Sequence, residues 1–417
     1  LFGVDAAAAV DDPLLTVLEA DASDALAEIG EHDDDVSLLE DAILVFDQVL
    51  ALCPGYINAS NSRGLAYSKM ADMLNDESLL LASIGFFEQA IAENPSVSTF
   101  HYHKGLTEMK LFTNHSRSAY IERAIVSYQA ALGLDPAQKQ FRRALAYGFL
   151  QLSRFEVDNL YQALYTYKDA LAKDGENSLT YIGLAETLHY LGKANHEASM
   201  VEQAINFFDQ AISLDGQNEI AYYKLAKANQ TMAIRFGQYD HVNLAITNFD
   251  LAIGLNPDQD GFKNRKGIFL RKAGKRYKVR TYFEAAIEIF AALGRLPGNE
   301  ALYNNNTALV LADIAEAFLE EDKIHEAIIH YKKVQASGTK DGAMFTFNLA
   351  QAYAILGKNW AGLAELEQAL VLYQKSIGLK DDYANAYYYR GLAYEFIVEK
   401  YGQPKKAEAL ENYFRAF

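Results

Sequence analysis

Nine basic side chains fall within eighteen positions, Lys263, Arg265, Lys266, Arg271, Lys272, Lys275, Arg276, Lys278 and Arg280, with no acid between them. Guanidinium and ammonium groups at this density can hold carboxylates or phosphates through charge-assisted hydrogen bonds. On a helix, Asn264, Ile268, Arg271, Lys275 and Lys278 recur at steps of 4, 3, 4 and 3 and share one stripe. Two readings compete for that stripe. One is a dock for an acidic peptide, a carboxylate or an anionic head group; the other is a solvated face balanced by acids on adjacent elements.

Other chemistry is thinly represented. The nine histidines are scattered. His101 and His103 stand two apart, His325 and His330 five apart, and none forms the i, i+4 pair of a helical zinc site. Asp258-Gln259-Asp260-Gly261 opens like a calcium loop, yet the twelfth position from Asp258 is Phe269 rather than Glu. A turn that caps the next helix explains it better. The acidic run Glu31-His32-Asp33-Asp34-Asp35 fits a helix start, where carboxylates meet the positive end of the dipole, better than a cation site. Phosphate-binding glycine loops and the Gly-x-Ser-x-Gly elbow are missing, so neither an enzyme nor a cofactor or metal is expected. The single cysteine, Cys53, excludes an internal disulfide and a Cys-based zinc cluster and reads as a small buried apolar residue.

The elements that would position these groups must come from a 417-residue chain that is 50% hydrophobic, enough for a large core. Its 55 acids exceed its 38 Lys and Arg and give a net charge of -17, the wrong sign for general nucleic-acid binding. No apolar run reaches the roughly 18 to 20 residues needed to cross a bilayer. Leu1 to Val10 carries Asp5 and no basic start, so it reads as neither a span nor an intact signal peptide. The initial Leu implies an upstream segment removed. Localisation stays open, with a periplasmic or envelope setting favoured over a cytoplasmic one. Only seven prolines interrupt the chain, which points to long helices.

A period of 41 residues organises it. Pro54, Pro95 and Pro136 are 41 apart, Gly175, Gly216 and Pro257 continue at steps of 39, 41 and 41, and Pro297 follows after 40. Before each lies a trio spaced 4 and 3, a small residue, a large apolar one and a second small one, on one helical face. The trios are Ala42/Phe46/Val49, Ser83/Phe87/Ala90, Ala124/Tyr128/Ala131, Ala163/Tyr167/Ala170, Ala204/Phe208/Ala211, Ala245/Phe249/Ala252, Ala285/Ile289/Ala292, Ala327/Tyr331/Val334, Ala369/Tyr373/Ser376 and Ala409/Tyr413/Ala416. Earlier in most repeats stands a lone small residue: Gly64, Gly105, Ala146, Ala185, Ala226, Gly267, Ala350 and Gly391. Mid-helix Gly costs about 1 kcal/mol against Ala, so its recurrence implies crowding by a neighbouring helix. Each repeat is predicted to be a helical hairpin.

This pattern resembles the tetratricopeptide repeat superfamily, whose first helix carries a small residue at its eighth position and whose second carries Ala, aromatic and Ala before a closing Pro. About ten repeats run from around Pro13 to Phe417. They are longer than the family's usual repeat of about 34 residues. The surplus is placed between the two helices of each hairpin, before turns at Asn75-Asp76, Asn114-His115, Gly192-Lys193, Gly237-Gln238 and Gly402-Gln403. The resemblance implies an all-α, right-handed superhelical solenoid of tall antiparallel hairpins: an N-terminal hairpin over 1–54, regular repeats over 55–297, an irregular repeat over 298–340 and C-terminal repeats over 341–417. The irregular repeat pairs Ala315 with Ala327 after a long approach through Asn304-Asn305-Asn306, and reads as a seam or as a change of register.

Carrying over the family's concave-groove positions gives Asn58, Asn61 and Lys69 in repeat two, Tyr102, Met109 and Lys110 in repeat three, and Arg143, Tyr147 and Gln151 in repeat four. Glu186, His189 and Tyr190 follow in repeat five, Tyr223, Lys227 and Gln230 in repeat six, Asn264, Arg271, Lys272 and Lys275 in repeat seven, and Asn385, Tyr388 and Glu395 in repeat ten. Aromatics and amides suit peptide recognition. The family's dicarboxylate-clamp pattern is not reproduced. The resemblance therefore implies a non-enzymatic scaffold that holds a partner protein or extended peptide, with an acidic segment as one form of it. No nucleic acid or integral membrane segment is expected, and self-association through the uncapped C-terminal end is. The alternative is a small-ligand or lipid-binding component of the bacterial cell envelope.

Overall fold

The computed structural model describes residues 36–52, 56, 58–336 and 342–416. The segment Leu1 to Val10, the acidic run at 31–35, Cys53, Pro54 and Phe417 lie outside the described residues. What is described is helix, turn and loop without strand. The helices are α1 (Val36–Leu52), α2 (Ala59–Leu74), α3 (Glu77–Glu93), α4 (Ser98–His115), α5 (Ser118–Leu134), α6 (Lys139–Leu152), α7 (Asn159–Asp174), α8 (Ser178–Ala194) and α9 (Ala198–Leu214) in one compact unit ending at Gly216. A second unit, from Gln217, holds α10 (Glu219–Ile234), α11 (His241–Leu255), α12 (Asp260–Tyr277), α13 (Arg280–Leu293), α14 (Glu300–Phe318), α15 (Glu321–Ala336), α16 (Gly342–Leu356), α17 (Leu363–Leu379), α18 (Ala384–Tyr401) and α19 (Lys406–Ala416). A π-helical turn, Gly357–Ala361, extends α16.

Within each unit consecutive helices pack pairwise, each even-numbered helix (A) forming a hairpin with the odd-numbered one that follows it (B). Short polar connections set these reversals. The side chains of Asn94 and Asp135, each before a proline, accept from the backbone N–H groups of Ser96 at 3.3 Å and Ala137 at 3.1 Å, a local turn that stops one helix and starts the next. Asp76 caps α3 through the Ser78 N–H at 2.8 Å, and Asn177 caps α8 through Leu179 at 3.0 Å.

The core is the predicted trio face. Phe87, Phe208 and Phe249 are wholly buried, and Tyr128, Tyr331 and Tyr373 are 1% exposed. Each such side chain removes roughly 1.5 to 3 kcal/mol of apolar surface cost from water. The lone small residues of the A helices explain the fit. A Cβ on Gly64 would lie 2.7 Å from Phe87, on Gly105 2.6 Å from Tyr128, on Gly267 2.7 Å from Phe290 and on Gly391 2.7 Å from Tyr413. The aromatic edge occupies the volume a side chain would need.

Several sequence expectations shift. In repeat seven the buried trio is Ala286/Phe290/Leu293; Ala285 and Ile289 are half-buried and Ala292 is exposed. Phe290 lies 41 residues after Phe249, so the helix keeps the strict ladder although the alanine spacing suggested a step one residue earlier. In repeat eight the small residue is Ala308, wholly buried in the same core cluster as Tyr331, and Asn304 to Asn306 lie inside α14. A continuous helix there restores the ladder 41 residues after Gly267. The turns expected at Asn114-His115 and Gly192-Lys193 belong to the last turns of α4 and α8, and the chain reverses after them, at Ser116 and His196.

Those reversals share one backbone device, a residue in the left-handed conformation: Asn75, Ser116, His196, Gly237, Lys278, Leu319 and Gly402. Leu319, at φ 58° and 70% exposed, takes this conformation with a branched side chain and no apolar burial in return. Left-handed geometry costs an L-residue roughly 1 to 2 kcal/mol, and glycine gives back part of the gain through unfolded-state entropy. Leu319→Gly should therefore stabilise the second unit by about 0.5 to 1 kcal/mol, read as a higher urea midpoint at unchanged slope.

Candidate functional site

On every A helix, the residue three before the small position and the residue four after it lie seven apart and share a face. The first row reads Asn61, Tyr102, Arg143, Ile182, Tyr223, Asn264, Asn305, Phe347 and Tyr388, so it contains six of the groove candidates. The structure links this face to the neighbouring A helix by a repeated hydrogen-bond rule. Asn61 Oδ1 lies 2.9 Å from His103 Nδ1, Asn306 Nδ2 donates to Asn264 Oδ1 at 3.3 Å, and Asn348 Nδ2 donates to Asn305 Oδ1 at 2.9 Å. Four residues beyond the small position, Ser68 accepts from Lys110 at 2.9 Å and Arg271 Nε donates to Asp313 at 2.7 Å. These polar groups bind repeat to repeat.

The basic stretch shows the consequence. Lys275 Nζ is 2.7 Å from Asp313 and 3.1 Å from Glu316, so Arg271 and Lys275 grip one carboxylate of the next repeat. Burial opposes the Lys275 charge, but Asp313 and Glu316 outweigh it and raise its pKa. Lys263 pairs with Asp260, Lys266 with Asp250, and Arg280 with Glu284 and Glu320. Lys272 is exposed, and Lys278 is the left-handed cap after α12 rather than a member of the helical stripe.

The remaining candidates divide between packing and groove. Tyr102 packs at 4.8 Å on Phe141, and burial raises its hydroxyl pKa while half-buried Arg143 works against the rise. Tyr223 stacks at 4.6 Å on Phe262 with the Lys227 ammonium 5.5 Å from its ring, so both stabilise a local cluster. Tyr190 donates to Glu186 at 3.0 Å and stacks on His189. Glu395 accepts from Tyr413 at 2.6 Å. Met109, Tyr147 and Gln151 line a hollow of about 390 Å³ in the first unit with Arg154. Tyr388 is 41% exposed beside Tyr389. Asn58 stands before α2, and Lys69 and Gln230 sit half-buried on α2 and α10.

Four successive A helices of the second unit, α12, α14, α16 and α18, wall a cavity of about 450 Å³. Arg271, Lys275, Asp313 and Glu316 form its charged end. Asn348, Gln351 and Asn385 supply amides, Phe347, Tyr389 and Leu392 apolar surface, and Lys358 enters from the π-helical turn. Sequence reasoning found Arg271, Lys275 and Asn385. It missed Asp313, Glu316, Asn348, Gln351 and Lys358, because no groove positions were carried into repeats eight and nine, and it took Tyr388 in place of its neighbour Tyr389 in repeat ten. The signal was present: Asp313 lies 41 residues after Lys272, an opposite charge at one repeat distance.

His330 is fixed by the same kind of amide contact. Asn304 Nδ2 donates to the Glu300 carbonyl at 2.7 Å, so its Oδ1 faces His330 Nδ1 at 2.9 Å and that nitrogen carries the proton. Burial, with Lys333 adding to it, lowers the His330 pKa below the usual value near 6.5. Below that value the unfolded chain binds the proton more readily than the folded one, so stability rises with pH and is lost as pH falls through the lowered pKa. Melting at pH 5.5 should occur at a lower temperature than at pH 7.5, and His330→Gln should narrow the gap. An unchanged gap in that variant would assign the acid sensitivity elsewhere.

Small A-helix residues seated on B-helix aromatics, through four described hairpins of the first unit and five of the second, decide the architecture. The fold is of the tetratricopeptide-repeat type. Among solved structures to which the chain is similar, the human IFIT1 dimer with PPP-AAAA is 15% identical, with coverage of 91% of this chain and 79% of that one and a TM-score of 0.46. A tetratricopeptide repeat protein from Parabacteroides merdae is 16% identical, with coverage of 76% and 98% and a TM-score of 0.43. TTC0263 of Thermus thermophilus is 18% identical, with coverage of 50% and 98% and a TM-score of 0.39. No family model matches the chain, nor does any curated protein sequence. No helix among the described residues is long and apolar enough to cross a membrane, and no group of three or more potential metal ligands converges among them.

Proposed function

We propose that this tetratricopeptide-type chain is a non-enzymatic binding scaffold that holds an extended segment of a partner protein along the inner face of its second unit. The observation that supports the reading is the cavity of about 450 Å³ walled by four consecutive A helices and lined by amides and aromatics. Asn and Gln side chains can both donate to and accept from a peptide unit, and Phe347 and Tyr389 offer rigid apolar contact at low entropic cost. The volume also suits a small organic ligand, which makes a ligand carrier the competing reading. Native mass spectrometry of the purified protein separates the two, since a carrier retains its ligand.

The direct test selects binders from a displayed peptide library and crosslinks them through a photoreactive residue at Tyr389 or, as a control, at exposed Leu251 on α11. Selected peptides should crosslink at the first position and not the second, and Asn385→Ala should weaken them about tenfold, one charge-free hydrogen-bond pair in a desolvated groove. Equal crosslinking at both positions, or unchanged affinity in the variant, sinks the reading.

A further inference from the structure

The cavity of the second unit holds more hydrogen-bond donors than the protein itself uses. Gln351 lines it on α16, and its Nε2 is buried with no hydrogen-bond partner. Native structures rarely leave such a donor unmatched, and a residue at a cavity wall can meet an acceptor from outside by a small turn of its side chain. Seven residues on, Lys358 enters the same cavity. Its side chain is exposed, its ammonium lies 5.4 Å from the Phe396 ring, and no carboxylate among the described residues pairs with it. This sets it apart from Arg271 and Lys275, whose charges Asp313 and Glu316 already match.

The backbone at Lys358 departs from the regular α-helix. It stands in the π-helical turn Gly357–Ala361, a wide turn of a kind concentrated at functional sites. Tight packing holds the turn in place: a Cβ on Gly357 would lie 2.8 Å from Leu366 and 2.9 Å from the Gly362 carbonyl oxygen, and Gly362 has φ 95°. Trp360, the chain's single tryptophan, anchors the turn against the core cluster. Summing the lining charges, three cations (Arg271, Lys275, Lys358) against two acids (Asp313, Glu316) leaves one positive charge, and Lys358 is the group that lacks a counterpart.

We propose that Gln351 and Lys358 form a carboxylate-binding site in this cavity, with Phe347, Tyr389 and Leu392 contacting the apolar body that carries the carboxylate. The carboxylate has two sources, an acidic side chain of a bound peptide or a free small organic acid. The first source rests on the groove reading above; the second does not.

Trp360 supplies the readout, and calorimetry in parallel registers binding that leaves its fluorescence unmoved. The 417-residue chain is titrated at low salt with glutarate, with a capped peptide of alternating Leu and Glu, and with the same peptide carrying Gln for Glu. The acidic peptide, glutarate or both should bind saturably, and the acidic peptide should bind at least tenfold more tightly than its Gln counterpart. Lys358→Met should cost about tenfold, remove most of the salt dependence and leave the melting temperature unchanged, because the ammonium is exposed. Gln351→Met should cost a similar factor without changing the salt dependence. Acidic and Gln peptides binding equally would overturn the carboxylate site and leave the groove reading standing. Binding of glutarate without either peptide would uphold the site and end the peptide reading. No binding of either acid, or full affinity in Lys358→Met, overturns the proposal.

Discussion

Phe290→Ala is expected to destabilise the second unit by about 3 to 5 kcal/mol, whereas Ile289→Ala, one residue earlier, should cost about 1 kcal/mol. Phe290 is 1% exposed, its ring edge fills the space where a Gly267 side chain would project, and it stacks on Tyr303 at a centroid distance of 6.4 Å. Truncation leaves a cavity bounded by α12 and α14 that the rigid Gly267 backbone cannot fill. Ile289 keeps part of its surface in water already. Because repeats are stabilised by nearest-neighbour contacts, the loss should appear in hydrogen exchange as early opening of α12, α13 and α14, ahead of α17 and α18. Equal costs for the two variants would show that the alanine spacing, rather than the 41-residue ladder, sets the register of α13.

Asp313→Leu should cost about 2 kcal/mol, the second largest effect. Asp313 is 7% exposed and is the shared acceptor of Arg271 and Lys275. Removing it leaves two cations facing each other across one vacated position. The half-exposed Lys275 can turn to water, which keeps the loss below that of a fully buried pair. Replacing all three, Asp313→Leu with Arg271→Met and Lys275→Met, should recover most of the stability in urea unfolding, because desolvation is then no longer paid against a missing partner. A triple variant as unstable as the single one would mean that Asp313 acts through the helix backbone rather than through its ion pairs. By the same geometry, charge reversal at Arg271, Lys272 and Lys275 would not test partner binding cleanly. Two of those acids would confront Asp313, so any loss of partner binding would be mixed with loss of folding.

Repeat architecture was legible from the residues because a hairpin must solve the same packing problem at each step. The aromatics from Phe46 to Tyr413 and the small residues from Gly64 to Gly391 recur at steps near 41, and the structure packs them against one another, all but half-buried Tyr413 in the core. The errors were local. Alanines at adjacent positions allowed two registers in repeat seven, and the spacing from Ala315 to Ala327 drew attention away from Ala308. Reversal points were misjudged where an Asn or Gly stood in the last helical turn, because Ser116 and His196 adopt the left-handed conformation without the residue type that advertises it.

The groove was less legible for a physical reason. Composition along the inner face showed which side chains stand there, and that face of Tyr, Asn and cations was read from Asn61 through Tyr388. Whether each is available depends on its neighbour about 42 residues away, which only the stacked helices bring into reach: Asn61 meets His103, Asn264 meets Asn306, and Arg271 meets Asp313. The sequence by itself determined the helical hairpins and their buried face, since each follows from a period that burial enforces. Only the tertiary structure decided which polar groups are spent between repeats and which, Gln351 and Lys358, still face an open cavity, because pairing is set by distances across helices and not by position along one.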